Sequence, residues 1–260
     1  MINDDHIISS VLCTLQFREP LEYDAYPDQY NYYTPKIHNQ DLFVQLLVSE
    51  EVKNANAMWI TLYDEEDNQL LTKAFTISTL SAGIYYANAN ITKAELQALG
   101  SDKVGYFSVT TNSTEIATSL WYLINPTKVK TLKTITYSHG ENDYSVVFGS
   151  NTFQLSVECG VAPDESTVEQ ETADFVEQNM TNETVSGDLY GSLCMVYGSG
   201  LGIPNWLRDK IAMITILDTV KYDGIEYVRV QGSKLEEKEK TKHGLAIHKI
   251  QVQKIKNYIQ

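Results

Sequence analysis

The sequence predicts a mainly β protein made of two β-sandwich, immunoglobulin-like domains, with one or two short helices and an extended N-terminal arm. Apolar residues recur with a period of two, as in Leu42, Val44, Leu46 and Val48 and again in Met58, Ile60 and Leu62. Turn signals separate such runs at regular spacing. The chain has 260 residues, 43% hydrophobic and 21% charged, an ordinary globular balance with length enough for two cores.

Residues 1–40 begin with a predicted strand at 11–17 and continue into a tyrosine-rich stretch. Tyr23, Tyr26, Tyr30, Tyr32 and Tyr33 follow neither a helical nor a strand period, so the stretch reads as an arm. Tyrosine combines a rigid apolar body with a polar tip, which suits a subunit contact or packing on the chain's own domain.

Residues 41–126 form the predicted first sandwich. Strands are expected at 42–48, 58–62, 70–77, 84–88, 104–111 and 116–123; Trp59 and Trp121 read as core, the other reading being exposed rings that bind sugar. The acidic run at 64–68 lacks the spaced ligand pattern of a calcium loop and reads as a solvated turn. Thr92 and Glu95 make a capping box and Gly100 a stop, so a short helix is predicted over 92–99.

Residues 127–260 form the predicted second sandwich. Strands at 132–137 and 144–148 flank a polar turn at 138–143, and a third spans 152–158. Residues 161–171 read as an acidic surface loop, followed by two strands around Gly187-Asp188. Pro204 suits a first helical turn, and Ile203, Leu207, Ile211 and Ile214 stand at helical spacing, predicting a packed helix near 204–215. Asp223-Gly224 is a type I′ turn signal that sets Tyr222 against Ile225, Lys221 against Glu226 and Val220 against Tyr227. Residues 234–242 form an exposed mixed-charge loop or long hairpin tip. A change of phase between Ile247 and Ile250 predicts a bulge near His248-Lys249.

Charge narrows the function. The formal net charge is −14, which repels nucleic acid and anionic lipid, so no sequence-specific nucleic-acid binding and no membrane partner are expected. From residue 221 onward nine basic and five acidic residues leave a surplus of +4, so residues 1–220 carry −18. Basic end and acidic body suit a head-to-tail contact between copies, although lysines also serve as edge protection. Cys13, Cys159 and Cys194 are widely separated and odd in number, which suggests neither a disulfide framework nor a zinc ribbon. The N-terminus lacks the basic and apolar regions of a secretory signal, so synthesis in the cytoplasm is expected.

Catalytic patterns are scarce. The sequence has no H-E-x-x-H, no G-x-S-x-G and no Walker loop, and the glycines at 198, 200 and 202 do not complete a dinucleotide fingerprint. The five histidines are scattered and read as surface residues. His139 lies in one turn with Glu141 and Asp143, which could do acid–base work in principle but reads first as a polar hairpin loop. The expectation is a protein with no enzymatic activity, cofactor or metal.

The run Gly198-Ser-Gly-Leu-Gly-Ile-Pro-Asn-Trp-Leu-Arg-Asp-Lys210, then Asp223-Gly-Ile-Glu-Tyr-Val-Arg229, then Gly232-Ser-Lys-Leu-Glu236 resembles a C-terminal pattern in tail and ring proteins of tailed bacteriophages of gut anaerobes, including crAss-like phages. The upstream stretch 137–148 resembles a further part of it. Ile203 replaces the family's usual Leu, and the Cys often found after the helix is absent near Leu217. The resemblance implies a structural virion protein in a ring, collar or tail. Its partners are then copies of itself and other tail or portal-proximal proteins. Contact candidates are Tyr23, Tyr26, Tyr30, Tyr32 and Tyr33 in the arm, Gly200, Pro204 and Trp206 in the loop, and Lys238, Lys240 and Lys242 in the charge run. The alternative is a carbohydrate-binding or host-adhesion module of a tail fibre or baseplate, which needs an exposed aromatic platform.

Overall fold

The computed structural model describes residues 7–17, 33–54, 57–81, 83–112, 114–129, 131–140, 146–149, 151–176, 182–198 and 201–254. The fold is mainly β, as expected.

In chain order the N-terminal body contains β1 (Ile7–Ser9), β2 (Lys36–Ile37), β3 (Leu42–Val48), α1 (Glu50–Asn54), β4 (Met58–Asp64), β5 (Gln69–Ala74), β6 (Thr76–Ser81), β7 (Ile84–Ile91), α2 (Lys93–Ala98), β8 (Lys103–Thr111) and β9 (Thr114–Ile124). One sheet runs β1-β3-β7-β6; the order β2-β9-β8-β4-β5 is one end of a 12-stranded sheet that continues, through Lys36 opposite Ser156, into the C-terminal body. The alternating residues do what their period demands: Leu42, Val44, Leu46, Met58, Ile60 and Leu62 enter one core with Phe107, Val109 and Ile124. The predicted strand at 70–77 is divided at buried Phe75, whose N–H bonds Met58 O; β5 belongs to one sheet and β6 to the other. At α2 the capping box forms as predicted, with Thr92 and Glu95 bonding each other's backbone N–H.

The C-terminal body contains β10 (Leu132–Ser138), β11 (Phe153–Val176), β12 (Asn182–Tyr197), α3 (Asn205–Ile214), β13 (Thr219–Tyr222), β14 (Ile225–Arg229), β15 (Glu236–Lys240) and β16 (Ala246–Lys254). It is a closed barrel rather than the second sandwich expected. Its order is β10-β13-β14-β16-β12-β11, and β11 pairs β10 again, from Leu132 opposite Glu158 to Tyr137 opposite Phe153. Closure gives β10 a partner on both sides and removes the open edges a sandwich keeps. Tyr137, Phe153, Val157, Met195, Tyr197, Tyr222 and Ile250 fill its core, together with Ile203, Leu207, Ile211 and Ile214 of the helical segment. Pro204 is the cap before α3 rather than a residue of its first turn.

The Asp223-Gly224 turn has positive φ at both residues, 49° and 82°, as type I′ requires. Tyr222 opposes Ile225 and Lys221 opposes Glu226. The third expected pair does not form: Val220 lies opposite Tyr137 of β10 and Tyr227 opposite Lys254 of β16, because the two strands follow different neighbours around the barrel. One loop expectation is corrected, since residues 161–171 lie within β11. Residues 236–240 form β15, all five residues exposed, in a hairpin with β16. β16 carries no bulge. The irregularity lies across from it, between Glu237 and Glu239 of β15, because His248 takes an inward position between Ala246 and Ile250 and keeps the strand in phase. No strand forms at 146–148.

Residues 11–17, predicted as a strand, form an irregular segment between the two cores. Leu12 packs in the barrel core, and Cys13, Leu15 and Phe17 in the other. Backbone pairing covers part of this segment, Gln16 O accepting from Leu120 N and Phe17 bridging Ser119, and side-chain bonds add to it. Tyr137 Oη donates to Leu12 O at 2.6 Å, Lys210 Nζ to Cys13 O at 2.7 Å and Thr14 Oγ1 to Phe43 O at 3.1 Å, while Gln16 N donates to Tyr122 Oη at 2.7 Å. The seam is further tied by Gln45, whose amide bonds both the N–H and the carbonyl of Val147, and by Ser156, bonded to Gln40 and to the backbone of His38.

Candidate functional site

Two surfaces stand out, one on each body. On the barrel, β11 and β12 continue past their other partners. β12 last pairs β16 at Leu193, opposite Val252, and β11 last pairs β10 at Glu158. Beyond this, rungs from Val168 opposite Gly191 to Val176 opposite Asn182 join only these two strands among the described residues, with register shifts at Pro163/Val168 and Ala173/Asp174. At ~3.3 Å per residue, nine residues from 168 to 176 make a two-stranded ribbon about 30 Å long. Residues 161–192 contain eight Asp or Glu and no Lys or Arg. Arg229, Lys234, Lys238, Lys240 and Lys254 are exposed on or beside β14, β15 and β16, interspersed with Glu236, Glu237 and Glu239.

The predicted contact residues are distributed differently. Tyr33 is buried, edge-on to Trp206 with ring centroids 6.2 Å apart, and Pro204 is buried, so both serve the interior of the chain. Trp206 packs against both cores. Lys238 and Lys240 project from β15, and Lys242 opens the short 3-10 turn that follows. Tyr23, Tyr26, Tyr30, Tyr32 and Gly200 lie outside the described residues, as do Glu141 and Asp143. His139 pairs with Asp218, 2.8 Å from Nδ1 to the carboxylate.

On the N-terminal body, the outward face of β4, β8 and β9 carries the second surface. Trp59 and Trp121, expected in the core, are 41% and 37% exposed. Alternation explains this: Met58, Ile60 and Leu62 take the inward positions of β4, leaving Trp59 and Tyr63 outside. Tyr63 lies directly opposite Tyr106, and Tyr106 opposite Trp121. Tyr63 and Tyr106 stack at 5.5 Å and 23°, and Trp121 meets Tyr106 at 4.8 Å and 69°. Gly105 allows β8 to lie this close to β4, since a Cβ there would overlap the Tyr63 carbonyl oxygen.

Carboxylates border this aromatic row. Tyr106 Oη donates to Asp67 Oδ1 at 2.9 Å. Asp67 sits at φ 59° in the β4–β5 turn, where the Asp64 side chain accepts the N–H groups of Glu66 and Asn68. That turn is the solvated hairpin the acidic run predicted. Desolvation and the bond to Asp67 push the Tyr106 phenol up to about 12, so it remains a donor. Glu115 accepts hydroxyl protons from Ser108 at 2.5 Å and Thr118 at 2.8 Å. Asp67, Tyr106, Glu115, Thr118 and Trp121 line one open hollow of about 300 Å³.

Two buried polar groups were missed by the sequence reading. Lys210 of α3 is fully buried, and its one bond to Cys13 O leaves burial to lower it to about 8. His248 is 2% exposed, its ring nitrogens have no hydrogen-bond partner among the described residues, and burial lowers its pKa. Helical spacing from Leu207, and inward alternation from Ile250, are the signals that mark these positions as interior. Among the described residues no group of three His, Cys, Asp or Glu is placed to hold a metal ion, and no helix is long and apolar enough to cross a membrane. Comparison with protein-family models, curated proteins and solved structures gave no match.

Proposed function

We propose that the chain is a non-enzymatic structural subunit of a tailed-bacteriophage particle, part of a ring, collar or tail assembly. It acts by docking onto copies of itself and onto neighbouring tail or portal-proximal proteins. The observation that carries this reading is the β11–β12 ribbon, whose outer rungs have no third strand among the described residues. A two-stranded hairpin is marginal in water on its own, so an arm of this length gains stability by lying on another surface. Its uniformly acidic composition suits the C-terminal surplus of positive charge on the next copy. Such a contact joins different patches on the two subunits, and it generates a ring when the rotation closes.

The N-terminal body, read as an immunoglobulin-like sandwich, is then the module displayed by the ring, and the particle's tail is the chain's destination. Light scattering of the purified chain across a salt series tests the proposal. A discrete oligomer at low salt that dissociates as salt rises is the expected result; a monomer at every salt contradicts self-docking. A second reading, host adhesion through carbohydrate, is favoured by the exposed row of Tyr63, Tyr106 and Trp121.

A further inference from the structure

We infer that the outward face of β4, β8 and β9 is a binding site for neutral carbohydrate, centred on Trp121 and Tyr106 and bordered by Asp67 and Glu115. A sugar ring presents a C–H face that stacks on an aromatic surface and a rim of hydroxyls that donate to acceptors. This hollow offers both at once, within about 300 Å³.

Cross-strand aromatic pairs also stabilise sheets, by roughly 0.2–1 kcal/mol each. That role explains the contact of Tyr63 with Tyr106. It does not explain why two Trp residues, large enough to bury most of their surface in a core, stand 41% and 37% exposed on the same face. The row next to the aromatic one, Thr72, Thr61, Ser108 and Thr118, is itself a set of cross-strand pairs, with Thr61 and Ser108 buried, so the acceptors open to a sugar are the bordering carboxylates. Glu115 is already oriented by two hydroxyls, Ser108 and Thr118, which is the chemistry a sugar hydroxyl extends. An ionised carboxylate has about four acceptor sites, so Asp67 retains capacity beyond the bond from Tyr106.

The same groups set the sugar class. Two carboxylates beside the aromatic row, on a chain of net charge −14, repel uronates and sialylated glycans. Neutral hexose or N-acetylhexosamine oligosaccharides fit. A hydrophobic protein partner fits less well, because it would bury the carboxylates without a counter-charge.

The test uses the full chain on an array of neutral and acidic glycans, followed by titration of the best-bound free oligosaccharide against tryptophan fluorescence. Binding of neutral glycans is expected, with Trp121→Ala and Glu115→Gln each weakening it tenfold or more while circular dichroism and native mass stay unchanged. Both positions are exposed, so the variants are expected to fold. Choline chloride serves as the competing probe, because aromatic rings beside carboxylates also attract quaternary ammonium. The inference is overturned by binding of no glycan, by binding of acidic glycans alone, by affinity indifferent to both substitutions, or by choline displacing the sugar.

Discussion

Lys210 and His248 show how two buried polar side chains make stability depend on pH. Lys210 is held at about 8 in the fold, against 10.5 for a solvated lysine, so between these values the unfolded chain binds the extra proton. Stability therefore rises with pH through that window. Wild type is expected to gain on the order of 3 kcal/mol relative to Lys210→Met between pH 8 and 10.5, read from urea midpoints; parallel profiles would contradict this. Taking the difference removes the common contribution of the buried tyrosines and Cys159, whose raised values make them lose stability at high pH. His248 acts on the acid side. Its folded value is depressed, so the unfolded chain takes up the proton first as pH falls through about 6.5, and stability declines. His248→Leu is expected to flatten the acid limb of thermal unfolding relative to wild type. Neither residue was legible as interior, because polar side chains count as surface until the strand or helix phase is traced through them. The aromatic row failed for the converse reason: Trp59 and Trp121 read as core by type, whereas their parity with Met58, Ile60 and Tyr122 places them outside.

Local signals determined the elements they bordered. The capping box at Thr92 and Glu95 and the type I′ turn at Asp223-Gly224 formed as their chemistry required. Thr92→Ala is expected to destabilise the chain by about 1 kcal/mol in chemical unfolding, through loss of the cap to Glu95 N. Gly202→Ala is expected to be more severe, above about 2 kcal/mol. Its φ is +88° and an added Cβ would come within 2.7 Å of Ala246 N, where Ile203 and Ala246 exchange backbone hydrogen bonds. Elements whose backbone is satisfied at long range were misread. Residues 11–17 alternate like a strand but take their long-range backbone partners from Tyr137, Lys210, Tyr122 and Leu120. Residues 161–171 read as loop from their charge, yet they pair with β12, whose partner residues lie up to about 35 positions distant, where no local pattern reaches.

At the scale of the whole molecule, the mainly β character followed from periodicity, while the architecture of the second body did not. A sandwich and a barrel share the same alternation; what separates them is the return of β11 to β10 while β10 also holds β13, a pairing that no local pattern encodes. The overall charge division was visible, but its concentration on a ribbon required knowing that 168–176 and 182–191 face each other. The account therefore rests on that ribbon as the docking arm. Replacing residues 166–189 with a two-residue Asn-Gly turn and comparing native masses by light scattering at low salt tests it most directly. The account predicts an oligomeric wild type and a monomeric shortened chain that keeps its circular dichroism and thermal transition; equal masses for two folded proteins would contradict it.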